Sequence, residues 1–231
     1  RRIAMDITGN GYSCSPSSAF PRLDDGIMSI ITSEKDASAI LQECIAADAN
    51  CALAHLLLGF EQCKHWTTDS DTALSTGTNY TNGNDSRPEA MPSALSVSLA
   101  ELERLSTENL LTNREKHLGC ALDAWLHCEY ARAGHVLEHL IMMTDCRHDA
   151  LVLHLCQASY ILAGDGARAL SCVTRSGFLL EQGHFLHGDV LAMWAAGLAE
   201  SGNLSEAEVV ANDAVTRTRG RSAFALTTLI H

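Results

Sequence analysis

Basic residues are scarce in this chain. Sixteen Lys and Arg stand against 28 Asp and Glu, a net charge of −12 over 231 residues. That balance excludes a nucleic-acid phosphate backbone or an anionic membrane surface as the main partner, because both demand a basic footprint. The densest basic run, Arg217, Arg219 and Arg221, does not offset it. No stretch of 18 apolar residues occurs, and no secretory leader is legible. Cys-x-x-Cys is missing as well. The nine cysteines are odd in number, and several fall within apolar helical patterns. They read as buried free thiols in a reducing, cytoplasmic compartment, not as a zinc or disulfide framework. Alternation at period two, the signal of a half-buried strand, is hard to find. So are a Gly-rich phosphate loop, a nucleophile elbow and paired catalytic carboxylates. The expectation is a non-enzymatic protein without cofactor or metal.

Apolar residues instead recur at spacings of three and four almost everywhere, which reads as an all-α fold. Residues 1–15 read as an irregular lead-in. Residues 16–66 read as the first helices, with Ser33 as a plausible N-cap of the second. Residues 67–89 are rich in Ser, Thr and Asn and read as a mobile insertion, too poor in apolar surface to offset the entropy of ordering. Residues 90–231 read as tandem helix pairs. The best-defined start lies in "LTNREKHLGCALDAWL", where Thr112 and Glu115 spell a capping box. The chain opens "RRIAMD" and stops in "FALTTLIH", inside an apolar helical pattern, so a piece of a longer protein is expected.

Three segments repeat one register. Ala124, Cys128, Ala133, Leu137 and Leu140 correspond to Tyr160, Gly164, Ala169, Val173 and Ser176. They correspond again to Leu198, Gly202, Ala207, Ala211 and Ala214. An apolar residue, a small turn residue and a small Ala at this spacing let two antiparallel helices approach closely. The period is that of the tetratricopeptide repeat, and the fold expected is a tetratricopeptide-like α-solenoid. "ASAILQECIAADA", with Ala37, Leu41 and Cys44, matches the second half of such a unit.

The order of segments goes further. An early Asp6, Gly9 or Gly11 and Ser13, then "AADANCALAH", "LTNRE", "YARAGHVLEHL", "HDALVL" and "AGLAESGNLSEAE", resembles the tetratricopeptide repeat protein 38 family. The resemblance implies an α-solenoid of about twice this length, of which this chain is the N-terminal half. It places His55 at a family histidine. It also places Leu118 and Gln157 where that family carries histidine on the first helices of its middle units, with His117 one residue out of register.

The segment "HVLEH", His135 to His139, has the spacing of one class of zinc peptidases, with Glu138 as base. In the repeat register Ala133, Leu137 and Leu140 point into the stack. His135, Glu138 and His139 then fall on the more exposed side of a second helix. An ordinary solvated face is the expectation; a zinc-dependent hydrolase, or an activity completed by a missing C-terminal half, is the alternative. His55 reads as a core or inter-helix histidine. Trp125 and Trp194 read as packing residues, with a groove anchor as the other option.

A stacked array offers a concave face lined by the first helix of each unit. The residues expected there are Glu115, Leu118, Leu122 and Trp125, then His154, Gln157, Ala158 and Ile161, then Asp189, Ala192, Ala196 and Glu200. The expected function is a scaffold binding an unidentified protein or peptide, with self-association possible through its open ends. Those faces carry acidic or apolar groups, so an acidic peptide tail is not the expected ligand.

Overall fold

The computed structural model describes residues 2–6, 11–14, 20–33, 36–75, 93–143, 149–175 and 184–230. Strands β1 (Arg2–Met5) and β2 (Gly11–Cys14) pair antiparallel, with Ile3 opposite Ser13 and Ala4 opposite Tyr12. This hairpin stands where the sequence reads as irregular. Four-residue strands carry too little alternation to announce themselves.

Eleven helices follow among the described residues: α1 (Phe20–Thr32), α2 (Ala37–Ala47), α3 (Ala52–Ser75), α4 (Ser93–Thr107), α5 (Asn113–Leu126), α6 (Tyr130–Met142), α7 (Ala150–Leu162), α8 (Gly166–Arg175), α9 (His187–Glu200), α10 (Leu204–Thr218) and α11 (Ala223–Ile230). The all-α expectation therefore holds. Helix α3 runs through Ser75, into the segment read as an insertion. The remainder of that segment, 76–89, lies outside the described residues.

Local chemistry sets the helix starts. The capping box at α5 is present: Thr112 N–H donates to Glu115 Oε2 at 2.7 Å, and Glu115 N–H donates to Thr112 Oγ1 at 3.2 Å. Helix α2 is capped by Asp36, whose Oδ1 accepts from Ser38 N–H at 3.0 Å and Ala39 N–H at 3.3 Å. Ser33 is not that cap; it lies beyond the end of α1 at φ 55°.

The predicted repeat has a single physical signature, its turn. Cys128, Gly164 and Gly202 all adopt positive φ, at 57°, 71° and 87°. The N–H one residue later donates back to the carbonyl five positions earlier: Glu129 to Ala124, Asp165 to Tyr160, Asn203 to Leu198. This is the Schellman closure, which satisfies carbonyls that a helix end leaves open. It joins α5 to α6, α7 to α8 and α9 to α10. Directly after each turn Ala133, Ala169 and Ala207 are buried, as the register demands.

Each helix from α5 onward packs on the next, and α3 packs on α5, α7 on α9 and α9 on α11. One apolar core runs continuously from Tyr12 to Met193. A second, smaller one joins Leu191 and Ala192 to Ala214 and Ala225. Among the described residues no helix is long and apolar enough to cross a membrane.

Candidate functional site

The face formed by the first helices is occupied by the chain itself. Helix α1 packs against α2, α3 and α7, and strand β2 against α3 and α5. This arrangement corrects the groove expected from sequence. Leu118, Leu122, Trp125, His154, Gln157, Asp189, Ala192 and Ala196 are buried, and Glu115 is 0% exposed. Ala158 and Ile161 are half-buried, and only Glu200 is exposed. The physical reason is that first-helix residues in this chain face further layers of protein rather than solvent.

The buried polar residues hold those layers together. Glu115 Oε1 accepts from Ser13 N–H and Ser13 Oγ, both at 3.0 Å, while Oε2 accepts from Ser13 Oγ at 2.9 Å. Beside it, Arg114 donates from Nε to Asp149 Oδ2 at 2.6 Å and from Nη1 to Asp6 Oδ2 at 2.8 Å. Burial opposes the Arg114 charge, but Asp149 and Asp6 outweigh it and raise its pKa. Asp149 Oδ1 also caps α7 by accepting from Val152 N–H at 3.1 Å. Three segments far apart in sequence thus meet: Asp6 with Ser13, Arg114 with Glu115, and Asp149 at the start of α7. Arg114 and Asp149 escape notice in the sequence because each looks like a solvated charge at a helix start.

The remaining candidates divide in the same way. Trp125 is a core residue: its Nε1 donates to Ser159 Oγ at 2.8 Å, and its ring meets Phe60 edge-on at 5.2 Å. Trp194 packs half-buried on the second core. Gln157 Nε2 donates to Met193 O at 2.6 Å, tying α7 to α9. Leu118 is core, and neighbouring His117 has its Nδ1 2.7 Å from Asn113 O. Buried His154 has its pKa depressed to about 3, first by burial and then by the charge of Lys64.

In "HVLEH", His135 and His139 are exposed, while Ala133, Leu137 and Leu140 are buried. The two histidines engage different neighbours. His139 lies against His117 of α5 with ring centres 5.9 Å apart and the rings tilted by 42°, and His135 meets the Tyr160 ring of α7 at 5.9 Å and Arg168 of α8. Both Glu138 oxygens are engaged, accepting from Tyr160 OH and Arg175 Nη1 at 2.7 Å each. Among the described residues no group of three or more His, Cys, Asp or Glu is placed to hold a metal.

Two clefts remain. One, of about 680 Å³, opens between the α5–α6 and α7–α8 turns and is lined by Cys128, Tyr130, Arg132 and Leu162 among others. The other, of about 270 Å³, lies among α2, α3 and α4, with His55 in its wall. Compared with known proteins, the chain matches no family model, no curated protein and no solved structure.

Proposed function

We propose that this chain is a tetratricopeptide-type α-solenoid acting as a cytoplasmic interaction scaffold for an unidentified protein or peptide. The observation that supports this reading is the threefold recurrence of one helix pair with one turn geometry, at Cys128, Gly164 and Gly202. Serial pairs present serial equivalent surfaces, which suits extended ligands. A divergent member of the tetratricopeptide repeat protein 38 family is the assignment that fits the motif order.

The binding surface in this proposal is the edge of the array, not the filled face of the first helices. The cleft between successive turns combines exposed Leu162 and half-buried Tyr130 with a rim ion pair, Arg132 to Glu129 at 2.6 Å. An apolar floor with a charged rim is a usual interface composition.

The test is an affinity capture from lysate of the native cell, with Leu162→Asp and Glu200→Lys variants alongside. A stoichiometric partner lost with Leu162→Asp and kept with Glu200→Lys supports the edge. Loss with Glu200→Lys alone moves the site to the exposed end of α9. Absence of any partner overturns the scaffold reading.

A further inference from the structure

Ser98 interrupts an apolar stripe. Leu95, Leu102 and Leu105 of α4 are buried, and Ser98 sits between them, 2% exposed. A helical serine ordinarily returns its hydroxyl to the carbonyl four residues earlier, as Ser159 does to Leu155 O at 2.7 Å. Ser98 does not. Its Oγ lies 3.2 Å from Nδ1 of His55 on α3.

The tautomer of His55 follows from its other nitrogen. Nε2 lies 3.0 Å from the carbonyl oxygen of Ala49. A carbonyl only accepts, so Nε2 carries the proton. Burial lowers the pKa of His55 and keeps the ring neutral, outweighing the Ala49 carbonyl, Glu101 and Asp48, which favour its charge; Arg104 adds to the lowering. Nδ1 is therefore an acceptor, and the Ser98 hydroxyl donates to it. The Ala49 turn is itself fixed: Asn50 N–H donates to Asp48 Oδ1 at 3.0 Å, and Arg104 of α4 donates to Asn50 Oδ1 at 2.6 Å.

Ser98 and His55 line the cleft of about 270 Å³, together with apolar Ile45, Leu58, Ala94 and Val97 and with Gln42. A hydroxyl bonded to an oriented neutral imidazole, in a small apolar cleft, is the arrangement that activates a serine nucleophile. We propose that Ser98 and His55 form a nucleophile–base pair, oriented by the Ala49 carbonyl, that cleaves uncharged esters of short acyl chains.

In the first half-reaction Ser98 Oγ bonds to the ester carbonyl carbon and its proton passes to His55 Nδ1. The carbon–alkoxide bond then breaks, and His55 returns the proton to the departing alcohol. In the second half a water gives a proton to Nδ1 as its oxygen attacks the acyl carbon. The acyl–Oγ bond breaks, Ser98 recovers the proton and the carboxylic acid leaves. Gln42 lines the same cleft. The cleft volume limits the acyl group to a few carbons, and its lining excludes a charged one.

The experiment treats the native protein with a tagged fluorophosphonate, which transfers phosphorus to an activated serine with loss of fluoride, and maps the adduct by mass spectrometry. Hydrolysis of p-nitrophenyl acetate is followed in parallel. The expected result is an adduct on Ser98, absent in Ser98→Ala and lowered about 100-fold in His55→Gln. Val97→Trp alters an exposed rim position and tests access without touching the pair; it is expected to lower both readouts at an unchanged melting temperature. An adduct formed only after denaturation overturns the proposal, as does Ser98 labelling that is equal in His55→Gln. So does ester hydrolysis that persists in Ser98→Ala. These readouts are separate from partner capture, so either proposal fails without the other.

Discussion

Arg114 is 4% exposed and pairs with two carboxylates, Asp6 at 2.8 Å and Asp149 at 2.6 Å. Removing one member of a buried ion group leaves uncompensated charge, a more costly defect than the group's own net contribution. Arg114→Ala is expected to lower unfolding free energy by about 3–5 kcal/mol, read by urea denaturation. Replacement of exposed Arg132, paired to Glu129 on the surface, is the control and is expected to change little. His154 gives a second residue-scale prediction. Its pKa is about 3 in the folded chain against an ordinary 6.5, so below pH 6.5 the unfolded state binds the proton first. Its contribution is present above pH 6.5 and is lost as pH falls from there toward 3. Between pH 7.5 and 5.5 this one group costs about 1.4 kcal/mol of stability. Urea titrations of His154→Leu at both pH values are expected to show a pH-dependent loss smaller by that amount. An unchanged loss would remove His154 as the cause.

At the scale of elements the turns decide most. Gly164 and Gly202 hold their positive φ without steric cost, and an added Cβ would meet nothing within 4 Å. Cys128 holds the same conformation with a side chain, which costs about 1–2 kcal/mol. Cys128→Gly is therefore expected to raise stability by about 1 kcal/mol, and Gly164→Ala to lower it by about as much. Matching shifts in urea midpoint check both; a destabilised Cys128→Gly would show that the thiol packs usefully. The same turns explain what was legible in the sequence. Small residues at 128, 164 and 202 and Ala at 133, 169 and 207 encode a local closure and a close approach, and local requirements leave periodic marks. The capping box at Thr112 is legible for the same reason. Burial of Glu115, His154 and Asp189 is not, because what covers them is α1, β2 or α11, far away in sequence. A one-dimensional pattern shows that a helix has two faces. It does not show that both are buried. Ser98 left a trace, a lone hydroxyl on a leucine stripe, but its partner His55 lies 43 residues earlier and only the fold joins them.

For the whole molecule the arrangement is serial, each helix of the tandem region resting chiefly on its neighbours. Stability in such an array is a sum of local interfaces, and distant units respond to a defect only through the units between. Helix α9 is the junction. Its Val190 and Met193 belong to the continuous core, whereas its Leu191 and Ala192 face the small core shared with Ala214 of α10 and Ala225 of α11. The small core has few large side chains to absorb damage. Ala214 is fully buried, so Ala214→Asp places a carboxylate there without a cation to match it. The expected outcome is loss of amide protection confined to α10 and α11, residues 204–230. Helices α3, α5 and α7 are held by the continuous core and by the Arg114 and Glu115 networks, so their slow exchange is expected to persist. Hydrogen exchange read by mass spectrometry on proteolytic fragments separates the two regions directly. Equal loss of protection from α3 through α11 would show a single cooperative unit, in which the α9 junction transmits the defect instead of containing it.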